Sequence, residues 1–163
     1  MPDKVYVSGF QPPWQGVSSL TLGNYLGAIK PLLNVQKRFP LARIYVFVAD
    51  LHALTLPNPH HHRLKINELF MLYLACGLDP QKIIFFQQSH IPAHTELAYL
   101  LLCHTTIGQL QRMTQFKTKS RRQKANKTNM VPTGLMIYPG LMAADVLLYD
   151  ADYVVVGHDQ QQH

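Results

Sequence analysis

Three clusters in this sequence combine residue types and spacings that suit ligand chemistry, and the first of them contains two glycines. Ser8-Gly9-Phe10-Gln11 ends a short apolar run, and Thr21-Leu22-Gly23-Asn24 opens a periodic apolar segment. Backbone amides at a helix N-terminus bind phosphate with the help of the helix dipole, and Gly23 would let a nucleotide approach the backbone closely. The alternative is a glycine-containing turn with an ordinary helix cap, which this cluster favours when it is taken alone.

The second cluster is a carboxylate in an apolar segment that runs from Tyr138 to Asp145, YPGLMAAD. Met142, Asp145 and Tyr149 follow one another at helical spacing, which predicts that they share one helix face. Burial of an unpaired carboxylate is costly, so we expect Asp145 to meet a donor from the protein or from a ligand. Taken alone, this segment favours a structural salt bridge.

The third cluster follows an apolar run, Val154-Val155-Val156, and consists of Gly157-His158-Asp159-Gln160. In parallel α/β sheets, ligands bind in the crevice outside the carboxyl ends of the strands. Capping of the next helix by Asp159 and Gln160 is the competing explanation. Taken together, the three clusters indicate one shared site rather than three independent caps.

The elements that must position these clusters alternate between strands and helices. Apolar runs predict strands at 4–8, 43–49, 83–86 and 153–156. Helices are predicted after Thr21, from Asn58-Pro59 to Gly77, and over 92–104 and 134–149. The alternation predicts an α/β fold, Rossmann-like and nucleotide-binding, with a mostly parallel sheet and helices on both faces.

The helix after Thr21 carries a periodic apolar set and an internal proline. Its predicted apolar face consists of Leu22, Leu26, Ile29 and Leu33. Pro31 lies inside this pattern and predicts a kink or an early end, because proline lacks the amide that an interior helix position needs.

Composition limits the classes of protein that this sequence can be. Its 163 residues suit one domain, and 47% apolar with 15% charged residues excludes a disordered chain. The net charge of +6 suits an anionic partner such as a nucleotide or RNA. Apolar runs are too short for a membrane span, and two cysteines favour a reducing, cytoplasmic location. Neighbouring histidines at 60–62 point in different directions, so no metal site is predicted.

Three long strings resemble the N-terminal catalytic domain of bacterial tryptophanyl-tRNA synthetases, which are class I enzymes. They are TLGNYLGAI, QLQRMTQFKTKS and YPGLMAADVLLYDADYVVVGHDQQQH, and the resemblance runs from Ser8 to His163. Thr21-Leu22-Gly23-Asn24 stands where the class carries its His-Ile-Gly-His-type signature. The resemblance implies activation of tryptophan with ATP and Mg²⁺, transfer to tRNA(Trp), and a homodimer.

The resemblance also implies site residues. Those implied for ATP binding are Gln11, Gly23, Asn24, Gly157 and Asp159. Those implied for tryptophan binding are Gly9, His52, Tyr138, Met142, Asp145, Val154, Val156 and Gln160. The implied catalytic residues are Lys119, Gln11 and Thr21. In the family, Asp145 matches the carboxylate that accepts the indole N–H, and His52 has a capped strand end as its alternative.

Lys119 lies in a basic stretch, 117–127, whose simplest interpretation is a solvated loop. The family uses this loop to bring a lysine to the triphosphate, and the loop also suits contact with tRNA phosphates. Two features depart from the family pattern. The segment between Gln11 and Thr21 is longer than usual, and His158 replaces a common acidic residue, so no role is assigned to either.

The resemblance implies that 1–163 is a C-terminally truncated catalytic domain. The second signature loop and the anticodon-binding helical domain would lie beyond it, so we expect the isolated chain to be weakly active or inactive. Three alternatives stay open. They are a tyrosyl-tRNA synthetase, a non-catalytic module that binds tryptophan or RNA, and another nucleotidyl transferase, which would not explain 138–163.

Overall fold

The computed structural model describes residues 4–11, 21–55, 62–113, 116–117 and 132–156. These residues form two compact units. The first contains the chain up to Ile91 together with the residues from Tyr149, and the second contains Pro92–Leu148. Within the described segments, no helix is long and apolar enough to cross a membrane.

The first unit is built on a four-stranded sheet. Its strands are β1 (Val5–Phe10), β2 (Arg43–Val48), β3 (Ile83–Gln87) and β4 (Tyr153–Val154). They lie in the order β3-β2-β1-β4, and every pairing is parallel. The predicted α/β fold with a mostly parallel sheet is confirmed. The last strand is shorter than the predicted 153–156, although the Val155 amide still donates to the Val7 carbonyl at 2.9 Å.

Alternation along β2 sends its side chains into two apolar clusters. Ile44, Val46 and Val48 join one buried cluster, while Phe47 and then Ala49 join the other. This period of two is the pleat of a strand that is buried on both faces. The first cluster also receives Ile29 and Leu32 from the helix after Thr21, and three residues of the next long helix, Ile66, Leu69 and Tyr73.

The helix after Thr21, α1, does not end at Pro31. It contains an α-helical start, Leu22–Asn24, a π-helical stretch, Tyr25–Ile29, and a second α-helical part, Lys30–Arg38. A proline ring clashes with the carbonyl four residues earlier, and the wider π turn displaces that carbonyl. The predicted early end is therefore wrong, and the chain accommodates Pro31 by widening the turn before it.

The other helices of the first unit are short α2 (Asp50–Ala53) and long α3 (His62–Ala75). Helix α3 ends as predicted at Gly77, whose φ of +99° suits a residue without Cβ. The Leu78 amide donates to the Tyr73 carbonyl at 3.2 Å and the Gly77 amide to the Leu74 carbonyl at 2.9 Å, which closes the helix end. The predicted start at Asn58-Pro59 lies outside the described residues.

The second unit contains α4 (Ala93–Cys103), α5 (Ile107–Arg112) and α6 (Thr133–Leu147). Thr106 and Gln109 form a reciprocal capping box at the start of α5. Helix α6 continues through Pro139, and α4 packs along it. The predicted helices at 92–104 and 134–149 are confirmed, except that α6 stops at Leu147.

Candidate functional site

The carboxyl ends of β1 and β2 lie side by side in the first unit. Gly9 pairs with Phe47 and Phe10 with Val48, and the Ala49 amide donates to the Phe10 carbonyl at 2.8 Å. Gln11, the next residue, therefore leaves the sheet at the edge where β2 passes into α2. This is the edge at which the sequence predicts ligand-binding residues.

The chain after β4 runs beside the end of β1. The buried Ser8 hydroxyl donates to the Val155 carbonyl at 2.7 Å, beyond the last paired residue of β4. Val154 and Val156, two predicted tryptophan contacts, thus lie on the segment that flanks Gly9. The ends of β1 and β4 therefore lie side by side, while the third predicted cluster, Gly157 to Gln160, lies outside the described residues, so the shared site of the three clusters stays a prediction.

Gly9 has no side chain because an aromatic ring occupies that space. A Cβ atom at Gly9 would lie 2.6 Å from Cζ of Phe47. The Phe47 ring stacks on Phe86, with centroids 5.5 Å apart. Glycine at this position therefore has a packing reason as well as the pocket role that the resemblance implies.

His52 lies on α2, and a neighbouring carboxylate ties this short helix to the end of β3. Asp50 Oδ2 accepts from Gln87 Nε2 at 2.7 Å, and Asp50 Oδ1 accepts from the Ser89 amide at 3.0 Å. The His52 side chain is buried, and its carbonyl accepts from the Thr55 hydroxyl at 2.9 Å. Asp50 thus anchors the start of α2, the helix that carries His52, and the sequence interpretation did not identify it.

The start of α1 is an exposed N-terminus capped by Thr21. Thr21 Oγ1 accepts from the Asn24 amide at 3.2 Å. Thr21, Gly23 and Asn24 are all exposed. A Cβ atom at Gly23 would have only Thr21 Oγ1, at 3.8 Å, within 4 Å among the described residues. Packing among the described residues does not explain this glycine, in contrast to Gly9.

The second unit buries the carboxylate of Asp145 against a histidine. Asp145 Oδ1 lies 2.7 Å from His94 Nδ1, and the two side chains are 5% and 0% exposed. An ionised Asp145 can only accept, and the hydrogen bond then requires a hydrogen on Nδ1 of His94. The expectation that Asp145 meets a donor is confirmed, and here the donor comes from the protein.

Tyr138, Met142 and Asp145 form one stripe along α6, at spacings of four and three residues. Tyr138 is buried, and desolvation raises the pKa of its phenol to about 12. Met142 is half-buried. The prediction that Tyr149 shares this face is wrong, because α6 ends at Leu147.

Tyr149 instead belongs to the first unit, where it packs in an aromatic cluster. Its ring centroid lies 4.7 Å from that of Tyr45 and 5.6 Å from that of Phe86. This cluster covers the sheet face that carries Val7 and Phe47.

Several predicted site residues lie outside the described residues. They are Lys119, Gly157, Asp159 and Gln160, together with His158 and the longer segment between Gln11 and Thr21. The sequence interpretation missed His94. One signal was present, because Asp145 needed a donor, but only the packing of α4 on α6 shows which residue supplies it.

Comparison with known proteins identifies the family. The model of the tRNA synthetases class I (W and Y) matches residues 3–163. The chain belongs to this family. Within this class I synthetase family it is 50% identical over 161 residues to the tryptophan–tRNA ligase of Malacoplasma penetrans, covering 98% of this chain and 46% of that protein. The Bacillus subtilis tryptophan–tRNA ligase is 46% identical over 157 residues, with 96% and 44% covered.

Solved structures of class I synthetases agree with this assignment. The tryptophanyl-tRNA synthetase of Mycoplasma pneumoniae matches with a TM-score of 0.87 and 42% identity, covering 99% of this chain and 45% of that one. The Campylobacter jejuni tryptophanyl-tRNA synthetase complexed with ADP and tryptophan matches with a TM-score of 0.81 and 34% identity, covering 98% and 46%. The chain thus spans about half the length of its relatives.

Proposed function

We propose that this chain is the N-terminal catalytic portion of a tryptophan–tRNA ligase, which activates tryptophan with ATP and transfers it to tRNA(Trp). The observation that carries the proposal is the buried carboxylate of Asp145 in the stripe with Tyr138 and Met142. Indole is a donor only, and a buried acceptor penalises any side chain that lacks this donor. The relatives named tryptophan–tRNA ligase support the same substrate.

The proposal carries over the tryptophan contacts that the resemblance implies, which are Gly9, His52, Tyr138, Met142, Asp145, Val154 and Val156. Gln160 completes the set and lies outside the described residues. Bound tryptophan in the Campylobacter jejuni relative supports a site for this amino acid.

Nucleotide binding is assigned to the start of α1 and the end of β1. Gln11, Thr21, Gly23 and Asn24 supply polar groups and helix amides, which suit phosphate. Among the described residues, the open space at Gly23 supports close approach of a ligand to the backbone. Gly157, Asp159 and Lys119 are further ATP-site residues in this proposal, and Mg²⁺ enters with the nucleotide.

The proposed reaction needs positioning and charge stabilisation rather than a protein nucleophile. The tryptophan carboxylate attacks the α-phosphorus of ATP, a P–O bond forms, and pyrophosphate leaves with the electron pair of the broken bond. Lys119 would stabilise the charge that develops on the leaving group, and the helix amides near Gly23 would orient the phosphates.

Partners are part of the proposal. The net charge of +6 supports binding of tRNA phosphates.

A second copy of the chain would cover apolar residues that are exposed in the second unit, among them Tyr99, Leu100 and Ile107. We place the protein in the cytosol, which suits the two free cysteines, Cys76 and Cys103.

Calorimetric titration tests whether tryptophan is the amino-acid substrate. Tryptophan and tyrosine are titrated separately into the chain in the presence of ATP, with Asp145→Asn as the variant and the exposed Asp150→Asn as the matched control. We expect saturable binding of tryptophan, no comparable binding of tyrosine, and at least about tenfold weaker tryptophan binding in Asp145→Asn.

Other results would favour the alternatives. Preferential binding of tyrosine would replace the substrate assignment by that of a tyrosyl-tRNA synthetase. Tryptophan-dependent exchange of pyrophosphate into ATP, even if slow, would exclude a non-catalytic module, whereas its absence agrees with the weak or absent activity expected of the isolated chain. Binding of neither amino acid would contradict the proposed function.

A further inference from the structure

We propose that His94 is a positioning residue that orients Asp145 for recognition of the indole N–H. In this inference the buried pair, rather than the carboxylate alone, discriminates tryptophan from isosteres that lack the N–H donor. The inference rests on the proposed function, because it concerns the same amino-acid site.

The first support is the geometry of the pair. His94 lies in the first turn of α4, and Asp145 lies in the last turns of α6. The Nδ1 to Oδ1 distance of 2.7 Å is that of a short hydrogen bond to a charged acceptor. Neither side chain is appreciably accessible to solvent, so water does not compete for this bond.

The second support is the rigidity of the two helices that carry the pair. Leu102, on α4, packs on the backbone of Gly140, on α6, so closely that a Cβ atom there would lie 2.7 Å from Leu102 Cγ. Ala98, one turn after His94, is also buried. Close packing of α4 on α6 therefore fixes where the imidazole meets the carboxylate.

The third support is the capacity of a carboxylate. It offers about four lone-pair sites, so Asp145 can accept from the imidazole and from an indole N–H together. The hydrogen bond with the imidazole restricts rotation of the carboxylate, so a bound ligand has less of this motion to arrest. Preorganised acceptors penalise a ligand that cannot donate more strongly than acceptors that can turn away.

The alternative is that His94 only holds α4 to α6. A structural role and a positioning role differ in one measurable quantity. Loss of structure weakens the binding of every ligand of the site by a similar factor. Loss of positioning changes the ratio between ligands with and without the N–H donor.

The experiment measures that ratio by calorimetry. Tryptophan is compared with β-(3-benzothienyl)alanine, in which sulfur replaces the indole N–H in a ring of nearly the same shape. The variants are His94→Gln and His94→Asn, because the asparagine amide nitrogen lies near the place of Nδ1 and the glutamine amide nitrogen does not. His104→Gln is the matched control, since His104 is exposed at the end of the same helix.

We expect the wild-type protein to prefer tryptophan by at least about tenfold, the scale of one unpaired buried acceptor. His94→Gln is expected to lower this preference several-fold. His94→Asn and His104→Gln are expected to keep it within about threefold of the wild-type value. The recovery in His94→Asn would assign the effect to the donor at Nδ1.

Two results would overturn the inference while leaving the proposed function in place. One is an unchanged ratio in His94→Gln with both ligands weakened equally. The other is tight tryptophan binding by the wild-type protein without any preference over the sulfur isostere. A wild-type protein that binds neither ligand would instead contradict the proposed function itself.

A second measurement tests the donor at Nδ1 in the wild-type protein itself. Nitrogen NMR of protein with ¹⁵N-labelled histidine reports which ring nitrogen carries the hydrogen in each of the nine histidines. We expect a histidine with a hydrogen on Nδ1 in the wild-type protein and loss of that signal in His94→Asn. The absence of any such signal from the folded wild-type protein would overturn the inference.

Discussion

Leu102 packs directly on the backbone of Gly140, and its Cγ atom would lie 2.7 Å from a Cβ atom at that position. Glycine inside a helix normally costs about 1 kcal/mol relative to alanine. Here the missing methyl group makes room for Leu102 and lets α4 approach α6. The contact therefore reverses the usual effect of a glycine-to-alanine change.

We predict that Gly140→Ala destabilises the protein by about 1–3 kcal/mol, because the added methyl group overpacks the contact with Leu102. Urea denaturation measures the free energy of unfolding. Gly108→Ala is the control, since a Cβ atom at Gly108 would meet nothing within 4 Å in the part of the chain that the structure describes, and it is expected to be neutral or stabilising. Equal stability of Gly140→Ala and the wild-type protein would contradict the tight contact.

The two hydrogen bonds of Asp50 are predicted to hold α2 in place. Asp50→Ala removes the acceptors for Gln87 and the Ser89 amide, and we expect it to cost about 1–3 kcal/mol of unfolding free energy. Denaturation of Asp50→Ala is compared with that of Glu68→Ala, an exposed acidic position on α3. A loss no larger than that of Glu68→Ala would mean that the two hydrogen bonds do not hold the helix.

The ion pair of Lys4 and Asp152 predicts a pH dependence of stability. The hydrogen bond from Lys4 Nζ, 2.7 Å long, and then the bond from the Val5 amide hold the pKa of Asp152 below 3.8. The hydrogen bond to Asp152 raises the pKa of Lys4 above 10.5. The carboxylate contribution is present above pH 3.8 and is lost as the pH falls through the folded pKa. The lysine contribution is present below 10.5 and is lost as the pH rises through its folded pKa.

The stability difference between the wild-type protein and Asp152→Asn should therefore be greatest between about pH 5 and 9 and should shrink on both sides. Added salt should reduce it, because both groups are solvent-exposed. Denaturation midpoints across the pH range measure this. Lys4→Met removes the other partner of the pair. In this variant the stability should no longer fall at alkaline pH as the lysine loses its charge. A difference that stays constant with pH would show that the pair does not contribute.

Tyr138 predicts a decline in stability at alkaline pH. Burial raises the pKa of its phenol to about 12 from 10.0, so folding favours the neutral form. The associated stability is present below 10.0 and falls as the pH rises towards 12. Between about pH 9 and 11 the wild-type protein should lose about 1 kcal/mol more than Tyr138→Phe. Tyr99→Phe, which changes an exposed tyrosine, is the control and should follow the wild-type curve.

If a second copy covers the exposed apolar residues of the second unit, Leu100 should determine the oligomeric state, because it is 59% exposed on α4. Sedimentation velocity should show a dimer for the wild-type protein and a monomer for Leu100→Glu, because a buried charge at an interface is costly. Leu41→Glu places the same charge at a leucine of the first unit that is 76% exposed, and it should remain dimeric. A wild-type protein that is monomeric at tens of micromolar would contradict the proposal.

The strands and most helices could be predicted from the sequence because their signals are local. Apolar runs predicted β1, β2 and β3, and Gly77 predicted the end of α3. Where a tertiary contact decides, local patterns do not suffice. The need of Asp145 for a donor follows from its apolar neighbours, but the identity of His94 depends on how α4 packs on α6. Tyr149 was placed on the wrong element because helical spacing continues past the residue at which α6 ends.

Some residues of the candidate site could likewise be predicted from local sequence, and others could not. Gly23 and Thr21 were predictable from helix-start chemistry, and the structure places them at an exposed, capped N-terminus. Asp50 was not predictable, because both of its partners come from the end of β3. The resemblance to a family supplied roles that spacing and composition could not.

The π-helical stretch Tyr25–Ile29 changes which side of α1 the residues before it face, compared with the residues after it. One extra residue per turn rotates everything before it by about 100° relative to everything after it. Accordingly Leu22 and Leu26 are exposed, at 72% and 48%, while Ile29 and Leu32 are fully buried. The predicted single face of four apolar residues is thus divided in two. A deletion of one residue within this stretch would turn Thr21 and Gly23 to another side of the helix while Ile29 and Leu32 stayed in the core.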